Sequence, residues 1–361
     1  AFPFSGRPCA ARKSAAIPAC WTRPALASRP LRAGSEDCID LPKALMSIHE
    51  SPLPKRPRLL LHTALTPAMR ERLQLQFELL EAAALDSSRS SSLSGQVRAM
   101  LCNAQSVIGS EQLLQWPALE LIVDIGVGID GIDLDAAEQM GIKVRNTPAI
   151  SAEDIADHTL ALLLAAAREI VQAHEFVRHG RWLRGRYPPT LRFSGQRMGI
   201  VGLGRIGRAV ARRSQAFDMS IAYTGRAPKN DVPYRWCDSV LELAADVDFL
   251  VVCAGGGPET RGLINAEVLQ ALGPQGVLVN VGRGSIVDEK ALQQALQERT
   301  IAAAALDVFV HEPQVSEALM DLPNTVLTPH MASSTRHGLQ AMLAQAEAYL
   351  LEHFGLPEIT D

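Results

Sequence analysis

A glycine-rich hexapeptide and three charged residues carry the possible chemistry of this 361-residue chain. The hexapeptide is Gly202-Leu203-Gly204-Arg205-Ile206-Gly207. Met198-Gly199-Ile200-Val201 ahead of it reads as a strand, and Arg208-Ala209-Val210-Ala211 behind it opens a helix. In that setting Gly202 permits a tight turn, Gly204 lets the backbone approach a pyrophosphate, and Gly207 lets helix and strand pack closely. The helix N-terminus then offers free N–H groups to the anion. Alone, the pattern recurs by chance in many loops. Between a strand and a helix it points to a nicotinamide dinucleotide.

The end of the next strand should carry the ribose selector. An NAD site places Asp or Glu there, accepting from the 2′-hydroxyl. This chain has Tyr223-Thr224-Gly225-Arg226, then Lys229, with no acid before Asp231. A small hydroxyl residue beside a planar guanidinium suits a 2′-phosphate. Thr224, Gly225 and Arg226 therefore predict NADP(H), preferred over NAD(H). The bland alternative makes Arg226 a solvated loop charge.

The charged residues are Arg283, Glu312 and His330. Each stands just past an apolar run: Val277-Leu278-Val279-Asn280-Val281-Gly282, Leu306-Asp307-Val308-Phe309, and Val326-Leu327-Thr328-Pro329. In open α/β sheets the ligand crevice lies beyond the strands' carboxyl ends. All three can thus face one cleft although they are far apart in sequence. Taken singly, each also has an ordinary reading, as a solvated Arg or a loop His after Pro.

Alternating strands and helices must hold these residues. Arg58-Leu59-Leu60-Leu61-His62 reads as a buried strand, and Thr66-Pro67 starts a helix that runs toward Leu80. A serine-rich loop at 86–94 precedes a strand near 99–101, a helix near 111–115, and strands at 121–124 and 143–146. One long helix is expected over 151–179, with Ser151 at its cap and Glu153 and Asp154 in the first turn, where acids favour the dipole. A second series follows, with strands at 198–202, 220–224, 249–253, 277–281, 303–307 and 326–327, and a closing helix at 338–354. The βαβ order implies parallel sheets. The expected fold class is α/β, with two Rossmann-like, doubly wound parallel-sheet domains, the cofactor domain inserted into the substrate domain. The expected boundaries are 58–147 for the first part of the substrate domain, 148–326 for the NADP-binding domain, and 327–361 for the return segment.

Composition narrows the classes further. Apolar residues are 47% and charged residues 20%, with a net charge of −4, so neither nucleic acid nor an anionic membrane is indicated as partner. No apolar run approaches the roughly 20 residues of a membrane span. The six cysteines form no Cys-x-x-Cys pair and have no His at ligand spacing, so neither disulfide framework nor metal site is expected. Cys253 reads as a buried core thiol, and a cytoplasmic setting fits best. Residues 1–57 stand apart. Up to Ser35 they hold Arg7, Arg12, Lys13, Arg23, Arg29 and Arg32 and no acid. An organelle transit peptide is one reading, but Pro3, Pro8, Pro18, Pro24 and Pro30 would break its helix. A disordered tail is another. The favoured reading is an over-extended frame, since the chain does not begin with Met and Met46 precedes the first strand.

Gly199-Ile-Val-Gly-Leu-Gly-Arg-Ile-Gly207, Val279-Asn-Val-Gly-Arg-Gly-Ser-Ile-Val-Asp288, Ala305-Leu-Asp-Val-Phe-Val-His-Glu-Pro313 and Leu327-Thr-Pro-His330 resemble the signatures of the D-isomer-specific 2-hydroxyacid dehydrogenase family. Their order and spacing agree over roughly residues 58–350. Within the family the chain is most similar to NADPH-dependent glyoxylate/hydroxypyruvate reductases and plant-type hydroxyphenylpyruvate reductases. Phe193-Ser194-Gly195 and the Tyr-Thr-Gly-Arg selector support that placement.

The resemblance implies NADPH-dependent reduction of a small 2-oxoacid to the D-2-hydroxyacid. Arg283 would hold the carboxylate and 2-oxo oxygen, His330 would donate a proton to that oxygen, and Glu312 would orient the imidazole and favour its protonated form. The backbone N–H groups of Val127 and Gly128 would bind the substrate carboxylate. Asp307 would lie beside the nicotinamide, and Val281 against the cofactor. The family arrangement also implies a homodimer built on 151–193, whose Trp182, Arg186 and Tyr187 would reach the neighbour's site. Ordinary packing of Trp182 at a helix end is the equal alternative. Val310 and Met331 depart from the expected Glu and Ile, and Gly255-Gly256-Gly257 is unusually glycine-rich. The substrate slot would be lined by 101–104 and 182–187. Hydroxyphenylpyruvate reduction and a non-catalytic, nucleotide-sensing role remain alternatives. A phosphoglycerate-specific NAD enzyme is disfavoured, because the selector lacks an acid and no regulatory domain is appended.

Overall fold

Strands of two to six residues, the central ones apolar, build two sheets in which every strand pair is parallel. The structure, a computed structural model, describes residues 56–85, 91–147 and 150–359. The expectations for the N-terminal segment and for the boundary at Pro148 thus fall outside the described residues.

The first sheet comprises β1 (Arg58–Leu61), β2 (Glu78–Glu81), β3 (Val97–Cys102), β4 (Leu121–Asp124) and β5 (Lys143–Arg145). Its spatial order is β2-β1-β3-β4-β5. The second comprises β6 (Arg197–Val201), β7 (Ser220–Thr224), β8 (Arg235–Trp236), β9 (Phe249–Val252), β10 (Val277–Asn280), β11 (Ala303–Leu306) and β12 (Thr325–Leu327). Its order is β12-β11-β10-β9-β6-β7-β8. Both are doubly wound, and each reverses direction at a switch point, between β1 and β3 and between β6 and β9. Ligands bind beyond the strand ends at such points.

Strands β9, β10 and β11 are buried along their whole length, as continuous apolar runs covered on both faces must be. The helix Ala152–Ala167 covers one face of the second sheet, its Ile155, Leu160 and Leu163 packing with Val210, Ile200 and Val251. The closing helix Arg336–Phe354 instead returns to the first sheet. Its Leu343, Ala346 and Leu350 pack on Leu59, Leu101 and Val123. Each fully buried Leu or Val there contributes about 1.5–3 kcal/mol over an exposed one.

Two expectations about helices are corrected. The helix after Thr66 is Pro67–Gln76 and does not run to Leu80. Phe77 is extended and 1% exposed, and it turns Glu78–Glu81 into the edge strand β2, in register with β1. The long helix is two helices, Ala152–Ala167 and Ile170–Arg178, broken at Glu169 with φ +48°. Tyr187 Oη donates to Glu169 Oε2 at 2.6 Å and fixes that corner. The first helix is buried; the second exposes Ile170, Val171 and Val177.

Among the described residues no helix is long and apolar enough to cross a membrane. In the same range no group of three His, Cys, Asp or Glu side chains is placed to hold a metal.

Candidate active site

The two switch points open on one cleft of about 820 Å³. Of the residues singled out in the sequence, Val127, Gly128, Ile206, Val281, Arg283, Asp307 and His330 line it.

At β6 the chain turns through Gly202 with φ +94°, its amide donating to Thr224 O at 2.9 Å. A side chain here would begin 2.8 Å from the Ala254 backbone after β9, so the turn and that loop are pressed together. Gly204 caps the helix Arg205–Gln215 and has open space where a side chain would begin. That opening, in front of a helix N-terminus, is what a pyrophosphate needs, so the residues fit a dinucleotide. Leu203 and Gly207 are buried beneath the turn, and Arg205 is exposed. Thr224 is buried at the end of β7, while Gly225 and Arg226 are exposed. Among the described residues Arg226 has no ion-pair or hydrogen-bond partner. Asp231, the first acid after β7, is occupied by Arg208 at 2.9 Å.

Arg283 and His330 approach from different strands. Arg283, at the exit of β10, donates from Nε to Asp130 Oδ2 at 2.9 Å and from Nη1 to Gly282 O at 2.7 Å. Its Nη2 lies against the loop after β4, so close that any side chain at Gly128 would overlap it. In that loop Gly126 O accepts from Thr147 N at 2.8 Å and Val127 O from Asn146 Nδ2 at 2.7 Å. Each planar peptide then turns the following N–H, of Val127 and of Gly128, the opposite way. Among the described residues neither N–H donates to protein. Gly256 passes over the Arg283–Asp130 pair, where a side chain would begin 3.1 Å from both, which accounts for the middle glycine of that loop.

His330 has φ +49°, an unusual backbone for a non-glycine residue. Asp307 holds it there. The His330 amide donates to Asp307 O at 2.9 Å, and the Asp307 carboxylate accepts from Thr328 Oγ1 at 2.6 Å and from the amides of Met331 and Ala332 at 2.9 Å. Burial opposes the Asp307 charge, but these bonds and that from His158 outweigh it and hold the carboxyl below its ordinary range. The Met331 amide is thus engaged while its side chain stays exposed, so the departure from Ile removes no contact to Asp307.

His330 Nδ1 and Glu312 Oε2 are 2.6 Å apart. A carboxylate only accepts, so Nδ1 carries the proton and Nε2 is the nitrogen left for the cleft. Glu312 stands behind the ring, its Oε1 accepting from the Phe309 amide at 3.0 Å. Burial works against its ionisation, yet the bonds from His330 and Phe309 prevail and lower its pKa.

The chain matches a known family. A model of the D-isomer specific 2-hydroxyacid dehydrogenase NAD binding domain matches residues 160–332. A hydroxyphenylpyruvate reductase of Plectranthus scutellarioides is 43% identical over 265 residues, covering 73% of this chain and 85% of that one. This chain belongs to the D-isomer-specific 2-hydroxyacid dehydrogenase family. A glyoxylate/hydroxypyruvate reductase A of Arabidopsis thaliana is 42% identical over 258 residues, covering 72% and 82% of the two chains. Among solved structures, the NADPH-dependent glyoxylate/hydroxypyruvate reductase of Sinorhizobium meliloti, in complex with NADP and malonate, superimposes with a TM-score of 0.78 at 40% identity. The match covers 84% of this dehydrogenase and 95% of that chain.

The dehydrogenase departs from the sequence reading at the slot. Leu101 and Cys102 are core residues, and only Asn103 and Ala104 of 101–104 line the cleft. Residues 182–187 lie away from this chain's own cleft, as an arm reaching toward a neighbour would, and Tyr187 borders a separate cavity. Cys253 packs against the core and also lines the cleft, with burial pushing its thiol up to about 12. Asp130, Gln105 and His158 were not signalled. Gln105 Nε2 reaches Glu312 Oε2 at 3.5 Å, and His158 Nε2 lies 3.1 Å from Thr328 Oγ1. Their partners lie more than a hundred residues away in sequence, so no local spacing could announce them.

Proposed function

We propose that this dehydrogenase reduces a small 2-oxoacid, of glyoxylate or hydroxypyruvate type, to the D-2-hydroxyacid with NADPH. The observation that carries this is His330, backed by Glu312 at 2.6 Å and lining the same cleft as Arg283, Val127 and Gly128. The Gly202–Gly207 turn, Val281 and Asp307 would hold the nicotinamide nucleotide, which supplies the hydride when bound. The amides of Val127 and Gly128 receive the substrate carboxylate. Arg283 is held by Asp130 and Gly282 with Nη2 free for the carboxylate and the 2-oxo oxygen. His330 Nε2 gives its proton to that oxygen as charge builds on it, and Glu312 stabilises the imidazolium beforehand.

The NADPH preference is supported by exposed Arg226 and by the engagement of Asp231 with Arg208. Residues 58–147 and 327–361 would form the substrate domain and 148–326 the cofactor domain. A homodimer is supported by apolar exposure along one arm, with Trp182 66% and Leu183 94% exposed. Hydroxyphenylpyruvate is the second reading, supported by the apolar wall of Leu339, Met342 and Leu343 on the cleft. The test is NADPH oxidation over a panel of 2-oxoacids of increasing size. Turnover of glyoxylate or hydroxypyruvate above the aromatic acid is expected. Cofactor binding without reduction of any member would refute catalysis and favour a sensor.

A further inference from the structure

Four buried side-chain oxygens among the described residues lack a hydrogen-bond partner, on Asp124, Ser151, Gln172 and Asn324. Only Asp124 is a carboxyl, and burying an unpaired charge costs far more than burying a neutral hydroxyl or amide. Asp124 is 1% exposed at the end of β4, two residues before the substrate loop. Its Oδ1 lies under the turn, 3.0 Å from where a side chain at Gly126 would begin. Its Oδ2 meets only Cys102 Sγ at 3.5 Å, from the register partner on β3. A thiol is a weak donor and gives a carboxylate little support.

We propose that Asp124 is a positioning residue for the substrate's carboxylate, which settles on the Val127–Gly128 amides only when the acid beneath them is neutral. The inference rests on the 2-oxoacid reading given above. The groups facing Asp124 define its balance. Burial pushes its carboxyl up to about 6, Cys102 and Arg283 draw it down, and Asp130 on the same loop raises it again. Cys102 is itself driven up by burial and by Asp124, so it stays a thiol. His62, following β1, has its pKa lowered by burial and adds no full charge at neutral pH. Above that range Asp124 carries a negative charge under the Gly126 turn that leads into the anion site. Bringing in a second carboxylate then requires the uptake of a proton, so binding weakens as pH rises.

The test uses oxamate, an unreduced analogue of a 2-oxoacid, on the NADPH complex of the whole chain. Its affinity and proton uptake are measured by calorimetry in buffers of different ionisation enthalpy. Asp124→Asn, which mimics the neutral acid, is compared with the unaltered protein, so that any proton taken up by His330 cancels. At about pH 8 the variant is expected to bind roughly a hundredfold more tightly and to take up about one proton fewer, and at about pH 5 the two should agree. Asp124→Ser, also uncharged, should behave alike if the Asn variant does not fold. Equal proton uptake, or weaker binding by the variants at every pH, would overturn the inference and leave the reductase reading standing. Failure of oxamate to bind the unaltered protein, with no 2-oxoacid turned over, would remove both.

Discussion

Replacing Glu312 by Gln keeps the side chain's shape and removes its charge. In the parent, Oε2 accepts from His330 Nδ1 at 2.6 Å and Oε1 from the Phe309 amide at 3.0 Å. Gln cannot accept on both sides. Either the ring or the Phe309 amide must face an NH₂ group. The side chains of His330 and Glu312 are 20% and 18% exposed, so solvent screens the pair only in part. A charge-assisted hydrogen bond of this kind stabilises by about 1.5–3 kcal/mol. At about 1.4 kcal/mol per tenfold, losing it should cost about ten- to a hundredfold in kcat/KM for 2-oxoacid reduction. The sign follows from which form the carboxylate favours. Glu312 has a lowered pKa and is ionised across the neutral range, so it stabilises the imidazolium that donates the proton. Without it proton donation is disfavoured, and the alkaline limb of kcat/KM for 2-oxoacid reduction should move to acid. The assay is initial-rate NADPH oxidation from about pH 5 to 9, with cofactor affinity measured in parallel. A limb that stays in place, or moves to alkali, would refute the pairing as a catalytic device.

Other expectations follow from neighbouring contacts. Gly128→Ala forces Arg283 Nη2 away from the loop while Asp130 and Gly282 hold the rest of the guanidinium. KM for the 2-oxoacid should rise about tenfold or more with NADPH affinity little changed, and an unaltered KM would contradict the close approach. Arg226→Ala should lower kcat/KM for NADPH about tenfold and leave NADH nearly unaffected; equal losses with both would show that Arg226 does not read the 2′-phosphate. Asp307→Asn loses an acceptor for the amides of Met331 and Ala332 and should cost about 1–3 kcal/mol in urea unfolding at neutral pH. Because the Asp307 pKa is lowered on folding, its contribution is full above the ordinary carboxylate range and is lost as pH falls through the lowered value. The gap between parent and variant should therefore close in acid, and a constant gap would contradict the cause given. Leu183→Asp, at a site 94% exposed, should shift the proposed homodimer toward monomer in light scattering without unfolding it.

Which parts were legible in the sequence depended on the range of the interaction. The glycine turn is a local device, and its strand, turn and helix follow one another within twenty residues. The apolar runs of β9, β10 and β11 were equally plain, because strands buried on both faces must be continuously apolar. Edges were less plain. Glu-Leu-Leu-Glu in β2 has no period long enough to separate a strand from the end of the preceding helix, and pairing with β1 decided it. The break at Glu169 was invisible for the same reason. Nothing in Arg168-Glu169 forbids a helix, and the corner exists through Tyr187.

By itself the sequence determined an α/β chain with a dinucleotide turn, and an Arg, a Glu and a His placed past the ends of strands. Those features depend on residue type and on short spacing. The fold decided which of these residues meet. Arg283 is fixed by Asp130, which lies 153 residues earlier, and His330 is set by Asp307 and Glu312 in a backbone conformation no propensity would favour. It also left Asp124 Oδ1 without a hydrogen-bond partner beneath the substrate loop. Contacts of that kind arise only when two separately wound sheets close on one cleft, where distance in space and distance in sequence no longer correspond.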